Sequence, residues 1–297
     1  MKKTAVLLVN FGGPRSIDEV PQFMRALTGR QLPPAAEQQA IERYRVIGGC
    51  SPLPAMAEEH ARLLTAATGG EFVIRPAFKY SHPSIEERIT ECCSEKVERI
   101  LFLIMTPFYT SRTVGNYIAT AEDQLKSLPY RPDVRFIHSW YKEPLFIECW
   151  TERIKAEASF PDAFYLFSAH SLPKVLADEP YKAQIEETVD TVAKELRLSH
   201  YGLGWQSVPR NVSEPWIEPT VEAMLDEVAA KQFSTVVQVP IGFVTDHLET
   251  LYDIDIVHKE YAAAKGLNHC RVTCLNADPL FIETLKRILS HSLQEGS

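Results

Sequence analysis

The sequence predicts an α/β protein with two doubly wound domains, each built on a four-stranded parallel sheet flanked by helices. Short apolar runs alternate with amphipathic segments along the whole chain, which is the pattern of repeated strand–helix–strand units. Several of the runs are nearly continuous Val, Ile, Leu and Phe, as in strands that are buried on both faces of a parallel sheet. The chain has 297 residues and is 45% hydrophobic, which is enough for two cores of ordinary size.

Eight strands are expected, four in each half of the chain. In the first half they are Ala5–Val9, Phe72–Phe78, Arg99–Met105 and Val134–Ile137. In the second half they are Phe164–Phe167, Tyr201–Trp205, Thr235–Val239 and Arg271–Leu275. Amphipathic helices are expected between them at Ala55–Ala67, Ile85–Ser94, Tyr117–Leu128, Leu145–Ser159, Gln184–Leu196 and Val221–Lys231. The predicted domains are 1–140 and 141–276, with a closing helix in 277–297 that packs back on the first domain.

Charge and composition disfavour several classes of protein. The net charge of −8 argues against nucleic-acid binding, because phosphate recognition requires a basic surface. The six cysteines include no CxxC pair, so a site with four thiolate ligands is not expected. No apolar run approaches the roughly 18 residues of a membrane-spanning helix, and Ala5–Val9 is too short for the core of a signal peptide. A soluble, cytoplasmic protein is therefore expected.

The segments that follow the strands are where chemistry is expected, because open α/β sheets bind ligands at the carboxyl ends of their strands. These segments share Gly, Pro, aromatic and polar residues, and they are Asn10–Pro14, Lys79–Pro83, Thr106–Thr110, Ser168–Pro173, Trp205–Ser207 and Pro240–Asp255. A cleft lined by such segments from both halves suits a flat, mainly apolar ligand. Gly12-Gly13-Pro14 lacks the spacing of a phosphate-binding loop, and its proline removes one amide, so nucleotide binding is disfavoured.

His170 ends an apolar strand directly before Ser171-Leu172-Pro173. One interpretation is a histidine that fixes the turn by hydrogen bonding. The other is a metal ligand or general base, since neutral imidazole accepts a proton near physiological pH. Position alone leaves both open. No GxSxG motif is present, which disfavours a hydrolase triad.

A second polar group follows the third strand of the second half. If an α-helix begins there, Asp246, Glu249 and Asp253 share one face. Asp246 and Glu249 also have the spacing of an N-cap and its capping-box partner. Capping explains neither Asp253 nor His247. Carboxylates that share one face repel one another, and such an arrangement usually occurs where a cation or a proton lies among them. We expect the strand ends of the two halves to face one cleft and to place His170 opposite Glu249. The two side chains would then bind a metal that is passed on to another ligand.

Several segments, in order along the chain, resemble those of the ferrochelatase family. SAHSLP (Ser168–Pro173) and VPIGFVTDHLETLYDID (Val239–Asp255) resemble its two signature segments. The matches extend to LLVNFGGP, RYRVIGGCSPL, FKYSHPSIEE, WQS followed by Pro215-Trp216, and NADPLFIETL. The resemblance covers nearly all 297 residues. It implies two similar Rossmann-like domains of the class II chelatase type around a porphyrin cleft.

The resemblance also implies an activity and its residues. The expected reaction is insertion of Fe2+ into protoporphyrin IX, giving protohaem and two protons as the last step of haem biosynthesis. His170 and Glu249 match the residues to which the family assigns metal binding and removal of pyrrole protons. Positions that line or anchor the macrocycle correspond to Phe11, Arg30, Arg43, Tyr44, Ser51 and Tyr117. Supporting positions are Tyr80, Tyr109, Trp216 and Phe243 as aromatic walls, and Asp246, His247 and Asp253 behind Glu249.

The sequence departs from the family pattern at a few positions. Phe11 stands where coproporphyrin-type members commonly carry a tyrosine that can reach the metal, which favours protoporphyrin IX. Asp253 keeps a carboxylate of the acidic ladder of the animal enzymes, Val257 has lost one, and Lys79 replaces an arginine. The sequence ends at Ser297 without the cysteine-bearing extension of the animal enzymes. We therefore expect no iron–sulfur cluster and no other resident cofactor, with Fe2+ as a substrate.

The expected partners are the porphyrin and ferrous iron. The segment Val20–Pro34 lies where the family has an active-site lip. Its apolar residues suit peripheral contact with a membrane. They suit equally an ordinary amphipathic helix packed on the core. Transient contact with neighbouring haem-pathway enzymes is also compatible with the resemblance, and a monomer is modestly favoured.

Three other readings of the function stay open at this point. Within enzymes, the alternatives are a coproporphyrin III ferrochelatase and another tetrapyrrole metal chelatase. Outside enzymes, the alternative is a haem or porphyrin carrier, in which His170 is an axial ligand and the DHLET segment only caps a helix.

Overall fold

The computed structural model describes residues 3–209 and 213–294, which belong to two compact units. Unit 1 is formed by Met1–Trp140 and Ala277–Ser297, and unit 2 by Tyr141–Asn276. Each unit contains one four-stranded parallel sheet with helices around it. The predicted fold class is confirmed.

Unit 1 has the sheet order β2-β1-β3-β4. Its strands are β1 (Thr4–Asn10), β2 (Val73–Phe78), β3 (Arg99–Ile104) and β4 (Asp133–Ile137). Its helices are α1 (Val20–Thr28), α2 (Pro34–Val46), α3 (Leu53–Ala67), α4 (Ile85–Ser94), α5 (Asn116–Ser127) and α10 (Pro279–Gln294). A 3-10 helix at Ile17–Glu19 and a π-helical turn at Ser111–Gly115 complete its helical segments among the described residues.

Both faces of β1 are buried, which explains its continuous apolar sequence. Ala5, Leu7 and Val9 pack in one cluster with residues of α4 and α5. The alternate residues Val6 and Leu8 point to the other face and are also fully buried. β1 is therefore the centre of the unit 1 core.

The last helix belongs to unit 1 although it follows unit 2 in the chain. Phe281 on α10 is fully buried, and its ring centroid lies 5.7 Å from that of His60 on α3 and 6.2 Å from that of Trp140. These contacts pack α10 on the first unit.

Unit 2 has the sheet order β6-β5-β7-β8. Its strands are β5 (Phe164–His170), β6 (Tyr201–Gln206), β7 (Thr235–Val239) and β8 (Asn268–Arg271). Its helices are α6 (Pro144–Glu157), α7 (Pro180–Leu196), α8 (Val221–Ala230) and α9 (Lys259–Ala264), with a 3-10 helix at Lys174–Leu176. A ten-residue π-helix spans Glu249–His258 and runs directly into α9.

The two sheets share one strand order, in which the first strand lies between the second and the third. The direction of winding therefore reverses between β1 and β3 in unit 1, and between β5 and β7 in unit 2. Ligands of open α/β sheets bind outside the carboxyl ends of the strands at such a switch point. In unit 2 the two segments that flank it are the end of β5, with His170, and the segment after β7, Pro240–Asp255.

The predicted position of the last strand was wrong. We expected Arg271–Leu275, whereas β8 is Asn268–Arg271. β8 is an edge strand that pairs only with β7, so its sequence NHCR is polar and partly exposed. The apolar run that suggested a strand, Val272–Leu275, is mostly buried but lies beyond the end of the strand. The helix α2 was also missed, because it is polar on most sides and buries only Tyr44.

The amphipathic segment Val20–Pro34 contains α1, which buries Val20 and Phe23. Met24 and Leu27 are half-buried. Within the described parts of the chain, no helix is long and apolar enough to cross a membrane. Peripheral contact of this segment with a membrane stays a prediction.

A buried polar network joins β5, β7 and β8 to the end of the π-helix. The Gln238 amide nitrogen donates to Ser168 Oγ at 3.0 Å and to His258 Nδ1 at 3.1 Å, and its oxygen accepts from His269 Nε2 at 2.9 Å. Burial lowers the pKa of His258 to about 4, and burial together with the neighbouring His258 lowers the pKa of His269 to about 4. Both rings are therefore neutral at physiological pH.

Acid should destabilise unit 2 through this network. In the unfolded chain each of the two histidines binds a proton near pH 6.5, whereas in the folded chain it does so only near pH 4. The free energy of unfolding should therefore fall as the pH drops from 6.5 to 4, by about 3 kcal/mol for His258. Urea unfolding at several pH values measures this slope. His258→Gln should flatten it, and His200→Gln, at an exposed position, should leave it unchanged; equal slopes for wild type and His258→Gln would contradict the assignment.

Candidate active site

His170 is the last residue of β5, and its ring has a defined orientation. Its Nδ1 contacts the carbonyl oxygen of Ser171, and because a carbonyl only accepts, we assign the ring hydrogen to Nδ1. Nε2 then carries a lone pair that can accept a proton or bind a metal. The main chain of His170 is held as well, because the Tyr181 hydroxyl donates to its carbonyl oxygen at 3.0 Å.

Glu249, the first residue of the π-helix, faces His170. Glu249 Oε2 lies 3.9 Å from His170 Nε2, and both side chains are about one third exposed, 28% and 34%. This separation is too long for a hydrogen bond. It is short enough for one divalent ion to reach both atoms, since metal bonds to nitrogen and oxygen of about 2.1 Å each sum to about 4.2 Å.

Both members of this pair belong to unit 2. The expectation that exits from both halves would bring His170 and Glu249 together was wrong. The pair forms because β5 and β7 are neighbours in one sheet, so that the segments that follow them lie side by side.

The hydroxyl of Ser207 links Glu249 to a second carboxylate. Ser207 Oγ lies 2.9 Å from Asp253 Oδ2 and 3.4 Å from Glu249 Oε2, and its single hydrogen can be donated to one of them at a time. Residues four apart share one side of a π-helix, because its turn is wider than that of an α-helix. Ser207 has φ 61°, a left-handed conformation that costs free energy for a residue other than glycine and is typical of functional sites.

The expected α-helix beginning at Asp246 was wrong in its start and its type. Helical residues begin at Leu248, after Asp246, and continue from Glu249 as a π-helix. Asp246 therefore neither caps the helix in a capping box nor shares a face with Glu249 and Asp253.

Asp246 is instead an anchoring residue. Its carboxylate accepts hydrogen bonds from Arg271 Nη1 at 2.7 Å, from Asn276 Nδ2 at 2.7 Å and from Thr250 Oγ1 at 3.0 Å. Burial opposes its charge, but the charge of Arg271 and these hydrogen bonds outweigh burial and hold the pKa of Asp246 below its ordinary value. With its oxygens engaged in this way, Asp246 supports the segment rather than the metal.

Aromatic side chains lie near the pair within unit 2. The ring centroid of Trp216 lies 6.3 Å from that of His170, and the ring centroid of Phe243 lies 4.7 Å from that of His247. Burial, only partly offset by the charges of Glu249 and Asp246, lowers the pKa of His247, so that this ring is neutral.

Two buried polar atoms near this pair, Gln206 Oε1 and Trp216 Nε1, have no hydrogen-bond partner among the described residues. Gln206 is paired in register with His170, and its amide nitrogen lies 3.4 Å from the carbonyl oxygen of Glu249. In the sequence, Gln206 and Ser207 stand out only as parts of the WQS segment at the exit of β6. Their position at a strand exit was the available signal.

In unit 1, the expected macrocycle residues include a chain of aromatic rings at the end of β1. Phe11 contacts Tyr80 edge-on, with ring centroids 4.8 Å apart, and lies 6.2 Å from Phe23. Phe23 in turn lies 6.3 Å from Tyr44. The main-chain amide of Tyr80 donates to the carbonyl oxygen of Phe11 at 3.0 Å, which fixes the two residues side by side.

The loop after β1 packs tightly against Ser51, which belongs to the RYRVIGGCSPL segment. Ser51 is buried and its amide donates to the carbonyl oxygen of Pro14 at 2.8 Å. A Cβ on Gly13 would lie 2.5 Å from the Cβ of Ser51, so only glycine fits there. The same loop borders a cavity of about 260 Å³, lined also by Lys79, Tyr80 and residues of α1.

The other expected residues of unit 1 are either buried or exposed on helices and loops. Tyr117 is only 5% exposed and packs in the core beside α4, so little of its surface is open to a ligand. Tyr109 lies against the ring of His138, with centroids 5.6 Å apart. Arg30 and Arg43 are exposed, beyond the end of α1 and on α2. Their contact with a porphyrin stays a prediction.

Among residues 3–209 and 213–294, no group of three or more His, Cys, Asp or Glu side chains is arranged to hold a metal ion. A pair such as His170 and Glu249 is the arrangement expected for an ion that is passed on, since structural sites take three or four protein ligands.

Solved structures with a similar fold include SirB and CbiX. SirB from Bacillus subtilis, determined with Fe3+, matches with a TM-score of 0.62 at 12% identity, over 98% of this chain and 95% of SirB. CbiX, described as the terminal enzyme of siroheme biosynthesis in denitrifying bacteria, matches with a TM-score of 0.54 at 13% identity, over 97% of this chain and 99% of CbiX. At such identities the likeness shows the fold alone, which is the two-domain α/β fold of the chelatases.

The sequence comparison defines the family. A model of the ferrochelatase family matches residues 3–293. A coproporphyrin III ferrochelatase from Geobacillus thermodenitrificans is 33% identical over 99% of this chain and 98% of its own length. A ferrochelatase from Herpetosiphon aurantiacus is 35% identical over 97% of this chain and 98% of its own length. The chain belongs to the ferrochelatase family, and it is a metal chelatase that acts on a porphyrin.

The strained Ser207 yields a prediction that separates stability from activity. Both Ser207→Ala and Ser207→Gly remove the hydroxyl between Glu249 and Asp253, so both should lower the rate of metal insertion by a similar factor, about tenfold for one charge-assisted hydrogen bond. Only glycine relieves the left-handed backbone, so Ser207→Gly should be more stable than Ser207→Ala by roughly 1 kcal/mol. Thermal unfolding and initial rates measure the two effects. Equal stability of the two variants would argue against backbone strain, and unchanged rates would remove the hydroxyl from the reaction.

Proposed function

We propose that this chelatase inserts ferrous iron into coproporphyrin III and releases two protons. The metal and the reaction type are supported by the family, and the porphyrin by several relatives, from Geobacillus thermodenitrificans and Halalkalibacterium halodurans among others, that are named coproporphyrin III ferrochelatases. In this proposal Fe2+ is a substrate, and the chain needs no iron–sulfur cluster or other resident cofactor.

The observation that carries the proposed chemistry is the pairing of His170 Nε2 with Glu249 Oε2 at 3.9 Å. Metal insertion requires two pyrrole N–H protons to leave and the nitrogen lone pairs to face the iron. The imidazole of His170 and the carboxylate of Glu249 lie close together. They can therefore accept the pyrrole protons and bind the ion one after the other. Both side chains are partly exposed, so a ligand can reach them.

We assign proton removal to His170 first. Its Nδ1 hydrogen is held by the carbonyl oxygen of Ser171, so Nε2 is the atom that accepts a pyrrole proton. The resulting imidazolium faces Glu249, whose negative charge stabilises it. The same carboxylate can take the proton onwards, because the hydroxyl of Ser207 lies within 3.4 Å of Glu249 and 2.9 Å of Asp253.

Binding of the macrocycle supplies the remaining free energy. Bending a planar porphyrin turns its nitrogen lone pairs out of the plane, and interactions spread over the ring can offset the cost of that bending. In unit 1 the partly exposed rings of Phe11 and Tyr80 offer apolar surface of the kind such binding uses, and the buried Phe23 packs against Phe11.

Substitution of the pair tests this assignment. His170→Ala should abolish metal insertion, by at least about a hundredfold for the loss of a general base, while porphyrin binding remains measurable by absorbance. Glu249→Gln should lose most of the activity, because the amide neither binds a proton nor carries charge.

The control is Glu260→Gln, which changes an exposed carboxylate on α9 and should leave the rate unchanged. Near-normal turnover of His170→Ala would show that the base is elsewhere, and normal turnover of Glu249→Gln would remove that residue from the mechanism.

Protoporphyrin IX is the second candidate substrate, and Phe11 is the observation that favours it. Phe11 lacks the hydroxyl with which the tyrosine of coproporphyrin-type family members reaches the metal. The relative from Herpetosiphon aurantiacus, at 35% identity, is named ferrochelatase without a stated porphyrin. Several relatives are named for coproporphyrin III, and we give them more weight than one side chain.

Competition between the two porphyrins decides the substrate. With ferrous iron under anaerobic conditions, kcat/KM for coproporphyrin III should exceed that for protoporphyrin IX by about tenfold or more, because one additional carboxylate held by a charged hydrogen bond is worth roughly 1.5–3 kcal/mol. Spectral assay of both products from one mixture measures the ratio. Phe11→Tyr should leave this preference in place. A preference for protoporphyrin IX would overturn the proposed substrate and leave the chelatase activity intact.

A further inference from the structure

Arg271, at the end of β8, makes ion pairs to both sides of Glu249 in the chain. Its guanidinium binds Asp255 with two parallel contacts, Nε to Oδ1 at 2.6 Å and Nη2 to Oδ2 at 2.9 Å. Its Nη1 donates to Asp246 Oδ1 at 2.7 Å. The Arg271 side chain is only 10% exposed, so these contacts are largely shielded from water. The Arg271 side chain therefore links the edge strand β8 to Asp246, three residues before Glu249, and to Asp255, six residues after it.

We call Arg271 with Asp246 and Asp255 the clamp. Its Asp246 side is fixed by several hydrogen bonds. Asn276 accepts from the Asp246 amide at 2.9 Å and donates to its carboxylate at 2.7 Å. The Thr250 hydroxyl accepts from the His247 amide at 3.0 Å and is 3.0 Å from Asp246 Oδ1. Thr250 is fully buried. Residues 246–250 thus form one rigid turn, and Glu249 lies inside it.

The Asp255 side reaches the middle of the π-helix. π-helices are rare and their hydrogen bonds run from each residue to the fifth one on, a less favourable geometry than that of an α-helix. A ten-residue π-helix therefore depends on contacts from outside itself. The two-contact pairing of Arg271 with Asp255 supplies such a contact two residues beyond Asp253, the carboxylate that Ser207 holds.

We propose that Arg271 is a positioning residue for metal insertion, which holds the start of the π-helix in the register that places Glu249 opposite His170. This inference rests on the proposed roles of that pair. Arg271 itself is not assigned any contact with the substrates. It acts through Asp246 and Asp255, and its influence on the reaction passes through Glu249.

Arginine is required here because of its shape. The planar guanidinium presents one edge to Asp255 and a further N–H to Asp246, whereas the ammonium of lysine is a point charge on a flexible chain and cannot reproduce both contacts. Arg271→Lys thus keeps the charge and removes the clamp. The matched control is Arg88→Lys, a partly buried arginine of unit 1 that pairs with Glu91 on its own helix.

The first experiment separates positioning from a general structural role. In folded Arg271→Lys, kcat/KM for Fe2+ should fall at least tenfold, while KM for the porphyrin changes less than twofold. In the Glu249→Gln background, Arg271→Lys should cause little further loss, because the residue through which it acts is already disabled. Arg88→Lys should leave all of these quantities near wild type. Unchanged kcat/KM for Fe2+, or an equal loss in both backgrounds, would overturn the proposal.

A second measurement does not depend on turnover. Co2+ titrated into the porphyrin-free protein should give an absorption spectrum from binding at His170 and Glu249, with weaker binding in Arg271→Lys than in Arg88→Lys. If the wild type binds Co2+ with this dependence but inserts no iron, the proposed reaction fails and the positioning role stands. Asp255→Asn, which keeps the contact between Arg271 and Asp246, should show the same changes to a smaller extent. Loss of folding in both Arg271→Lys and Asp255→Asn would make the clamp structural and contradict the proposal.

Discussion

The parallel pairing of β5 with β7 is the constraint on which the unit 2 site depends. The register from Phe164 opposite Val236 to Phe167 opposite Val239 ends both strands at the same edge of the sheet. The segment after β7 then folds against the end of β5, where the amide of Gly242 donates to the carbonyl oxygen of Ser168 at 3.2 Å. A Cβ on Gly242 would lie 2.7 Å from that of Ala169, so only glycine permits this approach. The residue after Ala169 is His170, and Glu249 follows seven residues after Gly242.

Four carboxylates lie close together in the sequence, and they have different partners. Arg271 pairs with both Asp246 and Asp255, the Ser207 hydroxyl hydrogen-bonds Asp253, and Glu249 faces His170. The positive charge of Arg271 reduces the repulsion among these charges. His170 and Glu249 then supply two ligands for an ion. Two ligands suit a metal that must be handed to four pyrrole nitrogens, because a site with a complete ligand set would compete with the porphyrin.

The strands and their exits could be predicted because their signals are local. Buried parallel strands appear as apolar runs, and the strand exit together with the family resemblance pointed to His170 and Glu249. The π-helix could not be predicted, since the same residues satisfy an α-helical pattern and only tertiary contacts select the wider turn. β8 was misplaced because edge strands need not be apolar. Arg271 was missed because its partners lie 16 and 25 residues away, and no sequence spacing marks such a pair.

Phe11 and the named relatives point to different porphyrins, and the two kinds of observation concern different parts of the substrate. A tyrosine at this position bears on an axial contact with the metal at the centre of the ring. Coproporphyrin III and protoporphyrin IX differ at the periphery, where the first carries two more carboxylates. Phe11 is packed edge-on against Tyr80. Under the proposed function its ring is an apolar wall, and the hydroxyl that distinguishes tyrosine from phenylalanine bears on the metal and not on a peripheral carboxylate. Under the proposed function, selectivity between the two porphyrins therefore depends on charged residues around the macrocycle, for which Arg30, Arg43 and Lys79 are the candidates in unit 1.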